Sequence, residues 1–220
     1  MCFSATGSFA AAGVIAGIGA IAVAQKKPRS HRMLAAVPML FAVQQAAEGV
    51  VWLTIGHSDE RLVHQVAVAA YLAFAMVVWP IWVPLSLRMA EKNPRRRRAL
   101  TVLAWIGAVV SAYAAMLLLR GRPTAHVAGH SIAYNYTTRA SALVAALYVP
   151  GYAIPSAVPF FISSISKAKI MGAVLIAALV VTFVMERQVL TSVWCFFAAL
   201  LSVFVVLGIG KDHRLAIKVA

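Results

Sequence analysis

Residues 33–54 read MLAAVPMLFAVQQAAEGVVWLT, and this stretch predicts both the fold and the main candidate site. Its apolar length is enough to cross a lipid bilayer as a helix, because about 20 residues span the roughly 30 Å hydrocarbon layer. Three polar side chains interrupt the apolar run, namely Gln44, Gln45 and Glu48. The stretch therefore predicts a transmembrane helix that carries a polar stripe.

The rest of the chain has the same composition. Its 220 residues are 62% hydrophobic and 12% charged, and the mean hydropathy is +0.86, whereas soluble domains are about 45–50% apolar. Seven stretches approach the length of a membrane crossing. We predict an all-α polytopic membrane protein, a bundle of seven transmembrane helices in a single domain 1–220, with helices at approximately 4–24, 33–54, 65–87, 99–119, 142–164, 170–186 and 189–209.

The net charge of +14 could indicate a nucleic-acid partner, but the positions of the cations indicate a membrane topology instead. With the N-terminus outside, fifteen of the 20 Lys and Arg residues fall in inner loops and five fall outside, as the positive-inside rule requires. The run NPRRRRAL at 93–100 then anchors the topology and contacts anionic lipid headgroups. We therefore expect a multi-pass protein of the cell inner (plasma) membrane, N-out and C-in, without a nucleic-acid partner.

Glu48 is the residue that most needs an explanation. It lies about 22 Å along its helix from Met33, at 1.5 Å per residue, and hence in the outer third of the membrane. Gln44 and Gln45 flank it on one helical face, with Trp52 one turn above. An ionisable group at this depth costs about 2.5 kcal/mol or more, so it faces a bundle interior, a cavity or a partner. The stripe is therefore either a hydrogen-bonded contact between helices or the wall of a ligand site.

Other reactive side chains are predicted on the same outer side. His64 begins the third predicted helix, and the outer loop between helices four and five carries His126, His130 and Tyr134. The alternating pattern HSIAYNY at 130–136 predicts a short hairpin or extended segment, which is either a lid or a passive loop. The spacing of the two loop histidines would place both on one helical turn, as for a metal ion.

The two cysteines, Cys2 and Cys195, lie at opposite ends of the sequence. The predicted topology places both toward the oxidising outer side, where they could form a disulfide between the first and seventh helices. Alternatively, each is a free buried thiol that packs as a small hydrophobic group.

Prolines and glycines predict further local features. The fifth predicted helix should kink or divide into two half-helices, because interior prolines remove N–H donors, and it contains Pro150, Pro155 and Pro159. In the third helix, WPIWVP at 79–84, we interpret Trp79 and Trp82 as part of the inner interfacial aromatic belt. Gly13 and Gly17 form a small-xxx-small pair, which is typical of close helix packing.

Several motifs together give the chain a family resemblance. They are MCFSATGSF at 1–9, QQAAEG at 44–49 with Trp52, WPIWVP at 79–84, IAYNY at 132–136 and TSVWCFFAALLS at 191–202. The chain resembles a family of uncharacterised bacterial integral membrane proteins that begin MCFSA. The resemblance covers nearly the whole chain and implies seven helices but no particular activity. The motif positions that it brings forward are Cys2, Gln44, Gln45, Glu48, Tyr134 and Cys195.

More than one class of function fits these observations. We favour a protein that binds, senses or transports a small ligand or ion in a pocket lined by Gln44, Gln45, Glu48, Trp52, His64 and Tyr134. A membrane enzyme or metal-binding protein, with Glu48 acting beside outer-side His or Cys residues, is the first alternative. The sequence lacks the spaced Ser, Asp and His-xxx-His set of seven-helix zinc hydrolases, which favours binding. A passive subunit of a membrane complex is the second alternative, and the oligomeric state stays open.

Overall fold

Helices make up most of the chain in the computed structural model, which describes residues 4–25, 28–135, 142–165 and 167–185. The α-helices are α1 (Ala5–Ala24), α2 (Arg32–Ala35), α3 (Val37–Thr54), α4 (Arg61–Leu72), α5 (Trp79–Ala90), α6 (Pro94–Arg120), α7 (Ala142–Ile162) and α8 (Ala168–Met185). A π-helical turn, Ala73–Val78, joins α4 to α5. Short 3-10 turns precede α2 and α4, at Arg29–His31 and Ser58–Glu60.

Four helical segments in this part of the chain are long and apolar enough to cross a membrane. They are Ala5–Ala24, Arg29–Thr54, Arg61–Ala90 and Pro94–Arg120. These four coincide with the first four predicted crossings, and α7 and α8 coincide with the next two. The crossing predicted at 189–209 lies outside the described residues. The helical, membrane-compatible character of the chain is therefore confirmed, whereas seven crossings and their orientation stay predictions.

The chain is mostly helical as predicted, and a small β-sheet is the exception to the all-α prediction. Strands β1 (Thr124–Ala128) and β2 (Ser131–Asn135) pair antiparallel, with Ala128 opposite Ser131. The two-residue loop between them begins at Gly129, whose φ of +60° fits the first central position of a type II′ turn. The alternating sequence had indicated a hairpin at this place, and that part of the prediction is confirmed.

The contact between α1 and α3 depends on two glycines. A Cβ added to Gly19 would lie 2.9 Å from the backbone nitrogen of Met39, and one added to Gly49 would lie 2.8 Å from the ring of Phe9. The two helices are therefore antiparallel and close along their length. Gly13 and Gly17 were predicted to make such a contact, but no described atom lies within 4 Å of a Cβ at either position.

Helix α6 crosses α5 where Gly107 faces the backbone of Pro80. A Cβ at Gly107 would overlap the carbonyl oxygen of Pro80. That carbonyl lacks its usual helical donor, because the residue four positions later is Pro84, which has no N–H. The absence of a side chain at Gly107 thus lets α6 approach a part of α5 that two prolines have already altered.

The loops rich in Lys and Arg lie at one end of the bundle. Leu34, Leu87 and Leu100 form a buried cluster there, against which Phe160 and Ile165 pack. Helix α6 begins at this end, where the Asn93 side chain accepts hydrogen bonds from the N–H groups of Arg95 and Arg96 at 3.0 and 3.2 Å, as expected for an N-cap. The opposite end carries the hairpin.

The proline-rich fifth helix is not divided. Helix α7 is one continuous α-helix that contains Pro150, Pro155 and Pro159. Of the two predicted alternatives, division into two half-helices is therefore wrong, and a kink stays a prediction. The irregular backbone lies instead between α4 and α5, at the π turn. Each proline of α7 removes one N–H donor, but the flanking turns keep the helix continuous.

Candidate functional site

The polar stripe of α3 faces the interior of the bundle. Gln44, Gln45 and Glu48 each expose 0% of their surface. Helix α3 packs here against α1, α4 and the π turn, so these three side chains are enclosed by other helices. Glu48 therefore does not face lipid.

Trp79 fixes the orientation of Gln44. Its indole Nε1–H donates to Gln44 Oε1 at 2.8 Å, and because an indole nitrogen can only donate, the accepting atom must be the amide oxygen. The Trp79 ring also stacks on Phe41, with ring centroids 3.9 Å apart and planes 20° apart. The interpretation of Trp79 as an interfacial residue was wrong, because only 5% of it is exposed. Trp82 donates to the carbonyl of Met33 at 3.1 Å, toward the end of the bundle that carries the basic loops.

Three buried polar atoms around the stripe have no hydrogen-bond partner among the described residues. They are Gln44 Nε2, Trp52 Nε1 and Ser8 Oγ. Ser8 belongs to α1, and its neighbour Phe9 contacts Gly49, so Ser8 lies level with the Glu48 end of the stripe. A buried donor without an acceptor costs about 1–3 kcal/mol, and native proteins usually satisfy such groups with water or a ligand.

His64 is held by Thr54, the last residue of α3. Thr54 Oγ1 lies 2.9 Å from the carbonyl oxygen of Val50 and 2.9 Å from His64 Nδ1. A hydroxyl has one proton, and the carbonyl can only accept, so Thr54 donates to Val50 and accepts from His64 Nδ1–H. In this tautomer the other ring nitrogen, Nε2, presents a lone pair, as a base or a ligand-binding atom would.

Tyr134 belongs to strand β2 and packs onto the hairpin end of the bundle. Its ring stacks on Tyr71 of α4, with centroids 4.5 Å apart and planes 10° apart, and only 8% of it is exposed. Trp52 packs against the same apolar cluster. The structure thus brings Trp52 and Tyr134 into one cluster at the hairpin end, while Gln44 pairs with Trp79 further from the hairpin.

A cavity lies beside the hairpin. It has a volume of about 120 Å³ between the end of α6 and both strands, and its lining includes Arg122 and Asn135. None of the α3 stripe residues lines it. This cavity is therefore separate from the candidate site.

The predicted metal and disulfide residues have different outcomes. His126 lies on β1 and His130 in the hairpin turn, so the helical spacing that suggested a shared metal ion does not apply. His126 Nδ1 lies 3.4 Å from Asn135 Nδ2. Within the described ranges, no group of three His, Cys, Asp or Glu side chains could hold a metal ion. Cys2 and Cys195 lie outside those ranges, and their pairing stays a prediction.

Glu91 forms a second polar site, at the end with the basic loops, which the sequence analysis missed. Its Oε2 accepts from the backbone N–H of Ser164 at 2.7 Å, and its Oε1 accepts from the Ser164 hydroxyl at 2.8 Å and the N–H of Asn93 at 3.0 Å. The carboxylate therefore joins the α5–α6 loop to the α7–α8 loop. Burial raises the pKa of Glu91, but these hydrogen bonds and the nearby Arg96 outweigh burial, so the pKa lies below its ordinary value.

We expect Glu91→Gln to destabilise the protein by about 1–3 kcal/mol at neutral pH, because an amide replaces one acceptor with a donor that faces a donor of Ser164. A lowered folded-state pKa stabilises the fold above the ordinary carboxyl pKa, and that stabilisation is lost as pH falls through the folded-state value. Denaturant unfolding in detergent should therefore show a gap between the two proteins that narrows below about pH 4.5.

The matched control is Glu60→Gln, at an exposed position near the hairpin end. It should leave the stability within about 0.5 kcal/mol of the wild type, as surface substitutions usually do. A gap for Glu91→Gln that stays constant from pH 7 to pH 3 would contradict the role assigned to the carboxylate.

Membrane-length helices around a buried polar stripe define a helical protein compatible with a membrane environment. The chain belongs to DUF6629, a family of unknown function, whose family model matches residues 1–219. Neither the curated proteins nor the solved structures give a match. The family membership confirms the resemblance to an uncharacterised family and assigns no activity.

Proposed function

We propose that this chain is a seven-helix protein of the cell inner membrane that binds, senses or transports a small ligand or ion at the α3 stripe, in the outer half of the bundle. The observation that carries the proposal is the set of buried polar atoms around Glu48 that have no partner in the described part of the chain: Gln44 Nε2, Trp52 Nε1 and Ser8 Oγ.

These atoms favour a binding site over a purely structural contact. A stripe that serves only to hold helices together gains most when each polar atom is paired, because unpaired groups in an apolar interior are costly. Gln44 pairs its oxygen with Trp79, which leaves its two amide protons for another acceptor. A bound molecule with acceptor atoms, or a water that accompanies an ion, would complete the hydrogen bonding.

The proposed orientation rests on the distribution of charge. The end of the bundle opposite the hairpin carries Arg88, Arg95–Arg98 and Lys167, whereas the hairpin end carries fewer cations in the described ranges. Cytoplasmic ends are the ones enriched in Lys and Arg, which favours an outside position for the hairpin, with Glu48 nearer the outer surface. The same basic loops would contact the anionic lipids of the inner leaflet.

Thiol labelling in intact cells tests this orientation. A cysteine introduced at Gly129, in the hairpin turn, should react with an impermeant reagent, and a cysteine introduced at Arg96 should react only after the membrane is opened. Labelling of the position 96 cysteine in intact cells would overturn the N-out topology.

Glu48→Gln should retain the fold and lose ligand binding, because an amide of the same shape can keep hydrogen bonds but cannot carry the carboxylate charge. Purified protein in nanodiscs would be screened by thermal unfolding against small ions and small polar metabolites. A compound present at 100 times its Kd raises the free energy of unfolding of the protein that binds it by about 2.7 kcal/mol. The variant should unfold near the wild-type temperature and show little of that stabilisation.

Glu60→Gln is again the matched control and should respond to the compound as the wild type does, since Glu60 is exposed. The proposal fails if Glu48→Gln is stabilised as strongly as the wild type by each compound that stabilises the wild type.

A further inference from the structure

The π turn Ala73–Val78 ends where a proline removes its next hydrogen bond. In a π-helix each N–H bonds the carbonyl five residues earlier, so the next donor in this series would be Pro80, which has no N–H. The carbonyl left without that bond is the one of Ala75. The Tyr152 hydroxyl of α7 donates to this oxygen at 2.7 Å.

A second side chain supports the same turn from α6. The hydroxyl of Ser111 donates to the carbonyl oxygen of Val77 at 2.7 Å, and only 1% of Ser111 is exposed. Two neighbouring helices therefore supply hydroxyl donors to the backbone of the π turn. Inside a membrane such donors matter because backbone groups find no water to pair with.

The position of the Tyr152 bond distinguishes the π-helical register from the α-helical one. In an uninterrupted α-helix the donor–acceptor spacing is four residues, so Pro80 would leave Met76 without a donor instead of Ala75. The two acceptors point in directions about 100° apart around the helix axis. Tyr152 therefore stabilises the π register specifically, because its hydroxyl meets the carbonyl that is free in that register.

The π register keeps the buried residues of α4, the π turn and α5 on one side of the helix. Buried pairs recur every four residues, at 67–68, 71–72, 75–76 and 79–80. An uninterrupted α-helix would rotate such a pattern by about 40° per repeat, and thus by about 120° over three repeats. The extra residue of the π turn reverses most of that rotation and keeps the whole pattern facing the core.

Two contacts of the candidate site depend on the change in side-chain direction that the π turn produces. Trp79, just after the turn, bonds Gln44, and Tyr71, just before it, stacks on Tyr134. Trp79 and Tyr71 are eight residues apart and would point about 80° apart on an uninterrupted α-helix. With the π turn, both side chains reach the buried side of α3 and the hairpin together.

We propose that Tyr152 and Ser111 are positioning residues that hold the π turn in its register and thereby set the Trp79–Gln44 bond of the α3 stripe. The effect on binding rests on the proposed function. The effect on the geometry of Trp79 does not, and it can be measured without a ligand.

The experiment uses the full-length protein, ¹⁵N-labelled, in nanodiscs. The indole N–H resonance of Trp79 would be identified as the one that disappears in Trp79→Phe. Tyr152→Phe and Ser111→Ala should each shift this resonance, and hydrogen exchange of the backbone amides at 77–79, 81 and 82 should become about tenfold faster. Tyr113→Phe is the matched control, because no described residue hydrogen-bonds to the Tyr113 hydroxyl, and it should change neither quantity.

The proposal is overturned if Tyr152→Phe and Ser111→Ala both leave the Trp79 resonance and the exchange rates as in Tyr113→Phe. If Tyr152→Phe does not fold, Ser111→Ala alone decides between these outcomes. A shifted resonance together with unchanged ligand binding would support the positioning role and count against the proposed function of the stripe.

Discussion

Gly107→Ala should largely abolish the folded protein. The new Cβ would overlap the carbonyl oxygen of Pro80, which is backbone and cannot rotate away as a side chain can. Relief would require α6 to move away from α5, and with it Ser111 from the π turn. Overpacking of a core typically costs 1–3 kcal/mol, and a backbone clash should cost at least about 3 kcal/mol. The thermal unfolding temperature of the purified variant measures the effect. If the variant shows no cooperative unfolding, the yield of purified protein relative to the wild type is measured instead.

Gly13→Ala and Gly17→Ala are matched controls in α1, because no described atom lies within 4 Å of a Cβ at either position. Replacing glycine by alanine inside a helix normally stabilises it by roughly 0.5–1 kcal/mol. Both should therefore unfold at or above the wild-type temperature. A Gly107→Ala protein with wild-type stability would show that α5 and α6 do not approach as described.

Trp79→Phe should destabilise the protein by about 1–3 kcal/mol, although it keeps an aromatic ring against Phe41. The change removes the indole N–H and leaves Gln44 Oε1 buried without its donor, and the penalty is the cost of that unsatisfied acceptor. Denaturant unfolding in detergent, compared with the wild type at the same pH, measures it.

A double substitution distinguishes the stability lost with this hydrogen bond from the stability lost with the smaller side-chain volume. When both partners of a buried hydrogen bond become apolar groups of similar shape, the net cost is small. Trp79→Phe combined with Gln44→Leu should therefore be more stable than Trp79→Phe alone. Strict additivity of the two single effects would argue against a hydrogen bond between the two side chains.

The membrane-crossing helices could be predicted from the sequence because their cause is local. A run of about 20 apolar residues satisfies its own backbone as a helix whatever its neighbours are. For this reason the first four predicted crossings coincide with helices that are long and apolar enough to cross a membrane. The burial of Gln44, Gln45 and Glu48 likewise followed from the cost of exposing them to lipid.

The partners of these residues could not be predicted in the same way. The Gln44–Trp79 bond joins residues 35 positions apart, and the Glu91–Ser164 bonds join residues 73 positions apart. No local periodicity specifies such pairs. The enrichment of Trp at membrane interfaces is a statistical tendency. Trp79 departs from it because its indole N–H donates to the buried Gln44 Oε1.

The π turn left a sequence signal that was missed. The pairs Ala67–Val68, Tyr71–Leu72, Ala75–Met76 and Trp79–Pro80 recur at a spacing of four, which is too long for a straight α-helix with one buried side. In an apolar helix this spacing is hard to see, because lipid-facing residues are apolar too. Proline content was a poorer guide, since α7 contains three prolines and stays continuous.

The hydrogen bonds of Glu91 to Ser164 and Asn93 have a consequence for biosynthesis. The partner that supplies two of its hydrogen bonds, Ser164, is 73 residues further along the chain. At about 5–20 residues per second, Ser164 is added to the chain roughly 4–15 seconds after Glu91, and it leaves the ribosome later by the same interval. For that interval the nascent protein carries an ionised carboxylate that only surface water and Asn93 can solvate. The α5–α6 loop therefore reaches its final conformation only after α7 has been synthesised, so assembly of this end is ordered in time by a single side chain.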